Sequence, residues 1–218
     1  MKILVVGFPR SGTTLMYRIF KTHPQVEKMY FEKWLLKHPE KTKNNIEFKK
    51  GHTFGSKVIY AKRVIGKIGK TKYNIVDYCN DWNKRFKDEA RIIQIIRYPL
   101  DSLNSLVISK KKHPIGPGAT TVYKEYLKYI SKYSLDIAAL DNCLTIKYED
   151  LVTNPDKVIP RLYKHCNIKN VKFKEKMKIK RVFNHENKKF LLDWDDRLKN
   201  VVNVFNTLPG IKYEIKEK

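Results

Sequence analysis

An α/β fold is predicted, with a central parallel sheet between two layers of helices. Three observations point to it. Segments of strand character alternate with segments of helical periodicity along the chain. The first strand segment, Ile3–Val6, is an unbroken aliphatic run without polar alternation, as expected of a parallel strand covered on both faces. A glycine loop also joins the first strand to the first helix.

Ile3–Val6 is the first expected strand, and Gly12–Thr22 the first helix, ending near His23-Pro24. Val26–Lys37 reads as a loop with a short helix, and Thr42–Gly51 as a polar connection. Lys57–Ala61 is the second strand and Tyr73–Lys87 the next helix. Arg91–Ile96 ("RIIQII") is the third strand, and a helix starts at Leu100 after Pro99. Ser109–Ala119 ("SKKKHPIGPGA"), with two prolines and two glycines, reads as a mobile loop. Thr121–Ala139 carries apolar residues at helical spacing, and Cys143–Lys147 is the fourth strand. Asn154-Pro155 opens the helix Asp156–His165, with proline in its first turn. A late helix, Trp194–Phe205, stops before Pro209-Gly210. There is no internal repeat, and 218 residues suit a single domain over 1–218.

Composition narrows the class. At 42% hydrophobic and 12% aromatic the chain can build a core, and no apolar run approaches a membrane span. The opening apolar stretch is too short for a signal peptide, so a cytoplasmic location is expected. Three dispersed cysteines, Cys79, Cys143 and Cys166, form no paired metal motif and suit a reducing compartment. Lysine and arginine number 46 against 22 acids, a formal net charge of +24. Such an excess favours an anionic partner such as nucleic acid, an acidic glycan or a polyphosphorylated cofactor. The lysines are nevertheless spread from end to end, and the accompanying richness in Asn, Ile and Tyr equally suits a compositional origin.

The chemistry begins at Gly7–Thr14, "GFPRSGTT". Backbone N–H groups turning into a helix N-terminus make an anion site, which Gly12 opens to close approach and Thr13 and Thr14 supply with hydroxyls. The phosphate-loop pattern of nucleotide hydrolases requires lysine where this chain has Thr13, so Arg10 must supply the cation. Those enzymes also need a carboxylate at a neighbouring strand end to help hold Mg²⁺. Here "RIIQII" ends in Arg97, and Asp77 is the only rival, so a phosphate binder without a metal is expected. Ser105 follows Arg97 by eight residues in "RYPLDSLNS". A guanidinium and a hydroxyl converging at a helix start would hold a second phosphate. Two phosphate sites suggest a doubly phosphorylated nucleotide.

Together, "PRSGTTLM" followed by "HP", "IIRYPLDSLNSL" and "IKYEDLVTNPDKVIPRLYKHC" resemble the sulfotransferases that use 3′-phosphoadenosine 5′-phosphosulfate (PAPS). The loop is closest to the form in tyrosylprotein sulfotransferases. The resemblance spans residues 3–166 and implies a P-loop, nucleotide-kinase-like sulfotransferase fold. It implies that Arg10 contacts the 5′-phosphosulfate and stabilises the leaving group. The backbone of Ser11, Gly12, Thr13 and Thr14 would bind the 5′-phosphate, and Arg97 and Ser105 the 3′-phosphate. Tyr148 resembles the tyrosine lining the adenine pocket, although a core role is nearly as good a reading. Glu149 and Asp150 read as structural, at the start of a helical turn.

For the base, the resemblance favours Glu32, nine residues after His23 in "HPQVEKMYFEKW", over Glu27 and over His52. Either Lys57 or Lys62 would assist the transferring sulfonate. Lys188 and Trp194 in "NKKFLLDW" match the family's nucleotide-closing segment without its two glycines. The expected co-substrate is PAPS, with no metal. The acceptor, an anionic glycan, a peptide or a small molecule, is not legible, nor is the oligomeric state. Three rivals stand beside this reading: a P-loop kinase-like phosphotransferase, a basic nucleic-acid-binding protein without catalysis, and a degenerate sulfotransferase that binds the nucleotide without transferring.

Overall fold

The computed structural model describes residues 1–8, 10–30, 53–59, 67–68, 71–72, 75–112, 130–172 and 196–215. Strand β1 (Lys2–Gly7) is buried at every position and lies at the centre of a five-stranded sheet. β3 (Thr53–Ile59) flanks it on one side and β6 (Ala90–Ile96) on the other, all parallel. β2 (Val26–Tyr30) extends the sheet beyond β3, and β7 (Cys143–Lys147) extends it beyond β6, again in parallel. The order is β2-β3-β1-β6-β7. The short β4 (Lys67–Ile68) and β5 (Thr71–Lys72) form a separate antiparallel pair.

Alternation along the strands divides the core into two. Leu4, Val6, Ile92 and Ile96 face α2 (Ile75–Phe86), α3 (Pro99–Lys112), α4 (130–138) and α7 (Asp196–Asn206). Ile3, Val5, Ile93 and Ile95 face α1 (Thr13–Lys21), α5 (Tyr148–Thr153) and α6 (Pro155–His165). This is the predicted three-layer arrangement. From β1 the chain builds the β2 and β3 side of the sheet and then crosses to β6 on the other side of β1, the topological switch at which open α/β sheets bind ligands. Register places Gly7 level with Ile95, and Ile95 level with Ile146. The segments after β1, β6 and β7 therefore leave the sheet side by side at its carboxyl edge.

Several expectations need correction. Val26–Tyr30 opens as a strand, not a loop. Among the described residues it pairs with β3 alone, through a register shift at Val26/Lys28, and at this edge of the sheet its pattern is weak. The expected strand at 57–61 starts earlier, at Thr53. The mobile loop expected from Ser109 begins later, because α3 runs on to Lys112; residues 113–119 lie outside the described part.

Candidate functional site

Between β1 and α1 the chain reverses tightly. The Ser11 N–H donates to the Phe8 carbonyl at 3.1 Å, and the Met16 N–H to the Gly12 carbonyl at 3.1 Å, starting the helix. Glycine is required twice. A Cβ on Gly7 would come within 2.6 Å of both the Ile95 carbonyl oxygen and Ser11 Oγ. Gly12 has φ +105, and a Cβ there would meet the Tyr148 ring at 2.4 Å. Arg10 holds φ 70, a conformation sparsely populated by residues other than glycine. No acidic residue occupies the first turn of α1 to offset its positive end. The Ser11 hydroxyl is buried and has no hydrogen-bond partner among the described residues. A buried donor of this kind fits an anionic oxygen seated in the loop.

The second element meets the first. Arg97 follows β6, and its Nη1 donates to the Arg10 carbonyl at 3.2 Å. The Arg10 side chain reaches in the opposite sense, its Nε–H donating to Ser105 Oγ at 3.0 Å. Ser105 sits in the second turn of α3 and is buried. Arg10, Arg97 and Ser105 are thus one cluster, in which two guanidiniums and a hydroxyl bracket the loop. Arg97 is only 7% exposed, so its charge needs compensation. Asp101, one helical turn on, lies 3.8 Å from its Nη2, and the Tyr148 ring lies 4.6 Å from its Cζ. Tyr148 therefore touches Gly12 and faces Arg97.

Glu149 does not simply complement its own helix. Its Oε1 accepts the Tyr98 N–H at 2.9 Å, and its Oε2 accepts the Tyr213 hydroxyl at 3.0 Å. Burial pushes its carboxyl up from the usual range, opposed by these hydrogen bonds and by the Arg97 charge. His23 is structural. Its Nδ1 accepts the Gln25 N–H, its Nε2 lies 2.9 Å from the Lys169 carbonyl, and its ring packs edge-on to Tyr163.

Of the expected site residues, Arg10, Ser11, Gly12, Thr13, Thr14, Arg97, Ser105 and Tyr148 all lie at this carboxyl edge. Glu27 is an exposed acid on β2. Glu32, His52, Lys62, Lys188 and Trp194 lie outside the described residues, and so does the Lys57 side chain, although its backbone is in β3. Asp101 and Tyr213 escaped sequence reasoning. The first had a usable signal, the i,i+4 spacing from Arg97; the second had none.

Comparison with known proteins gives the cluster its context. The family model described as "Sulfotransferase domain" matches residues 1–192. A sulfotransferase from Alicyclobacillus acidocaldarius aligns with TM-score 0.57 at 12% identity, over 94% of each chain. Mouse sulfotransferase SULT7A1, solved with PAP, aligns with TM-score 0.53 at 16% identity over 78% of this chain. The chain spans 60% of that mouse protein. A comparison with curated proteins finds no match. The strand–loop–helix start, the parallel sheet and the matched span agree: the chain belongs to the sulfotransferase domain family.

Proposed function

We propose that this protein transfers a sulfonate group from PAPS to a hydroxyl or amine of an acceptor and releases adenosine 3′,5′-bisphosphate. The observation that carries the reading is the convergence of Arg10, Arg97 and Ser105 beside the glycine loop. It provides fixed positive charge and donors where a nucleotide with phosphates at both ends would lie. The mouse neighbour's complex with PAP supports the same donor. The loop's likeness to tyrosylprotein sulfotransferases supports Glu32 as base.

The loop from Ser11 to Thr14 binds the 5′ end, and Arg97 with Ser105 the 3′-phosphate. Tyr148 lines the adenine side, and Lys188 contributes from the C-terminal part. As the acceptor atom bonds to sulfur, the bond from sulfur to the phosphate oxygen breaks. The electron pair stays on the nucleotide, where Arg10 stabilises it, and the acceptor proton passes to Glu32. Catalysis is orientation plus preorganised charge, without a metal. Residues 1–218 act as one domain, and three free thiols support a reducing, cytoplasmic setting. The excess of lysines suits an anionic glycan or peptide acceptor more than nucleic acid.

Calorimetric titration with adenosine 3′,5′-bisphosphate in EDTA tests the donor. Micromolar binding is expected, and Arg97→Ala should weaken it by roughly 10- to 100-fold, the loss of a charge-assisted contact. No binding, or binding only with Mg²⁺, would overturn the reading in favour of a kinase-like enzyme or a nucleic-acid binder. Glu32→Ala should bind the nucleotide normally yet transfer ~10²–10⁴ more slowly in a PAPS turnover assay. Unchanged turnover would remove Glu32 as base.

A further inference from the structure

The family match ends at residue 192, yet residues beyond it reach the candidate site. After α7 the chain turns back and lays residues 211–215 against the ends of β6 and β7. The anchoring is dense. Asn206 holds the Tyr213 backbone from both sides, donating to its carbonyl at 3.0 Å and accepting its N–H at 2.7 Å. Lys147 Nζ donates to the Lys212 carbonyl at 2.8 Å and lies 4.6 Å from the centre of the Tyr213 ring. The Tyr98 hydroxyl donates to the Glu214 carbonyl at 2.9 Å. The Tyr98 and Tyr213 rings pack with centroids 5.5 Å apart.

These contacts bear on two residues that face the nucleotide loop. Tyr98 directly follows Arg97, and its N–H is taken by Glu149. Glu149 directly follows Tyr148, and its other oxygen is taken by Tyr213. The Glu149 carboxylate thus ties together the peptide after Arg97, the residue after Tyr148 and the C-terminal segment. Arg97 and Tyr148 are themselves stacked.

We propose that Tyr213, acting through Glu149, is a positioning residue for the nucleotide site. The C-terminal segment is then a strap that keeps the Arg97 guanidinium, which lies over the Tyr148 ring, in the geometry that grips the 3′-phosphate. The inference rests on the PAPS reading and adds to it a requirement for residues outside the matched span.

The test compares wild type with Tyr213→Phe and Tyr98→Phe, each of which deletes only a hydroxyl. Two ligands are titrated: adenosine 3′,5′-bisphosphate, and adenosine 5′-phosphosulfate, which lacks the 3′-phosphate. Tyr213→Phe should weaken the bisphosphate roughly 5- to 10-fold, as for a lost hydrogen bond to a charged group, and leave the phosphosulfate within about twofold. Tyr98→Phe, which loosens the same strap, should shift the bisphosphate in the same direction. Should Tyr213→Phe fail to fold, Tyr98→Phe decides alone. Wild-type affinity for both ligands in the folded variants overturns the strap. So does a parallel loss of both ligands, which would signal general destabilisation. Both outcomes leave the PAPS reading intact so long as wild type binds the bisphosphate. Absence of wild-type binding overturns that reading and the strap with it.

Discussion

Gly12 shows how one position serves backbone and ligand together. Its φ of +105 is costly for any residue with a Cβ, and the Tyr148 ring occupies the space a Cβ would need. Gly12→Ala should lower stability by about 1–3 kcal/mol, the sum of left-handed strain and a displaced ring, read from the urea midpoint. It should also weaken nucleotide binding, because Tyr148 moves with Arg97 stacked on it. An unchanged midpoint would mean that the ring does not pack there. The importance of Gly12 was legible from the loop motif. Its packing partner, 136 residues away in sequence, was not. Glu149 makes the same point. Local rules assign Glu149 to its own helix N-terminus, whereas its two acceptors serve Tyr98 and Tyr213.

Elements were legible in proportion to their burial. β1 and β6 are buried almost throughout and rich in aliphatic residues, β1 without a break from Ile3 to Val6 and β6 interrupted at Gln94, and they stand out from their surroundings. Edge strand β2 carries exposed Glu27 and Lys28 between its apolar positions, so its residues match a loop as well as a strand. The proline and glycine cluster after Ser109 hid the last turn of α3, since helical propensity persists until a breaker is reached and His113-Pro114 comes only after Lys112. Position on an element carries the chemistry. Arg97 follows a central strand, where register sets it beside the loop of β1, while Ser105 two turns into α3 comes under the Arg10 guanidinium.

At the scale of the whole molecule the charge of +24 is a liability as well as a possible attraction. Like charges spread over one fold repel, and salt screens them within a Debye length of ~10 Å at 0.1 M. In the absence of nucleotide, raising sodium chloride from about 20 to 300 mM at fixed pH should raise the melting temperature by a few degrees. A flat or falling melting temperature would show that the lysines are already compensated in the fold. No helix among the described residues is long and apolar enough to cross a membrane. Alternating aliphatic strands and helices, a glycine loop between the first strand and helix, and an arginine with a serine eight residues on were all readable from order alone, because each depends on neighbours close in the chain. That Tyr148 packs on Gly12 and Arg97, and that a segment beyond residue 192 holds Glu149, were decided by the tertiary structure. Those contacts join segments far apart in sequence, and only the register of β1, β6 and β7 brings them to one edge.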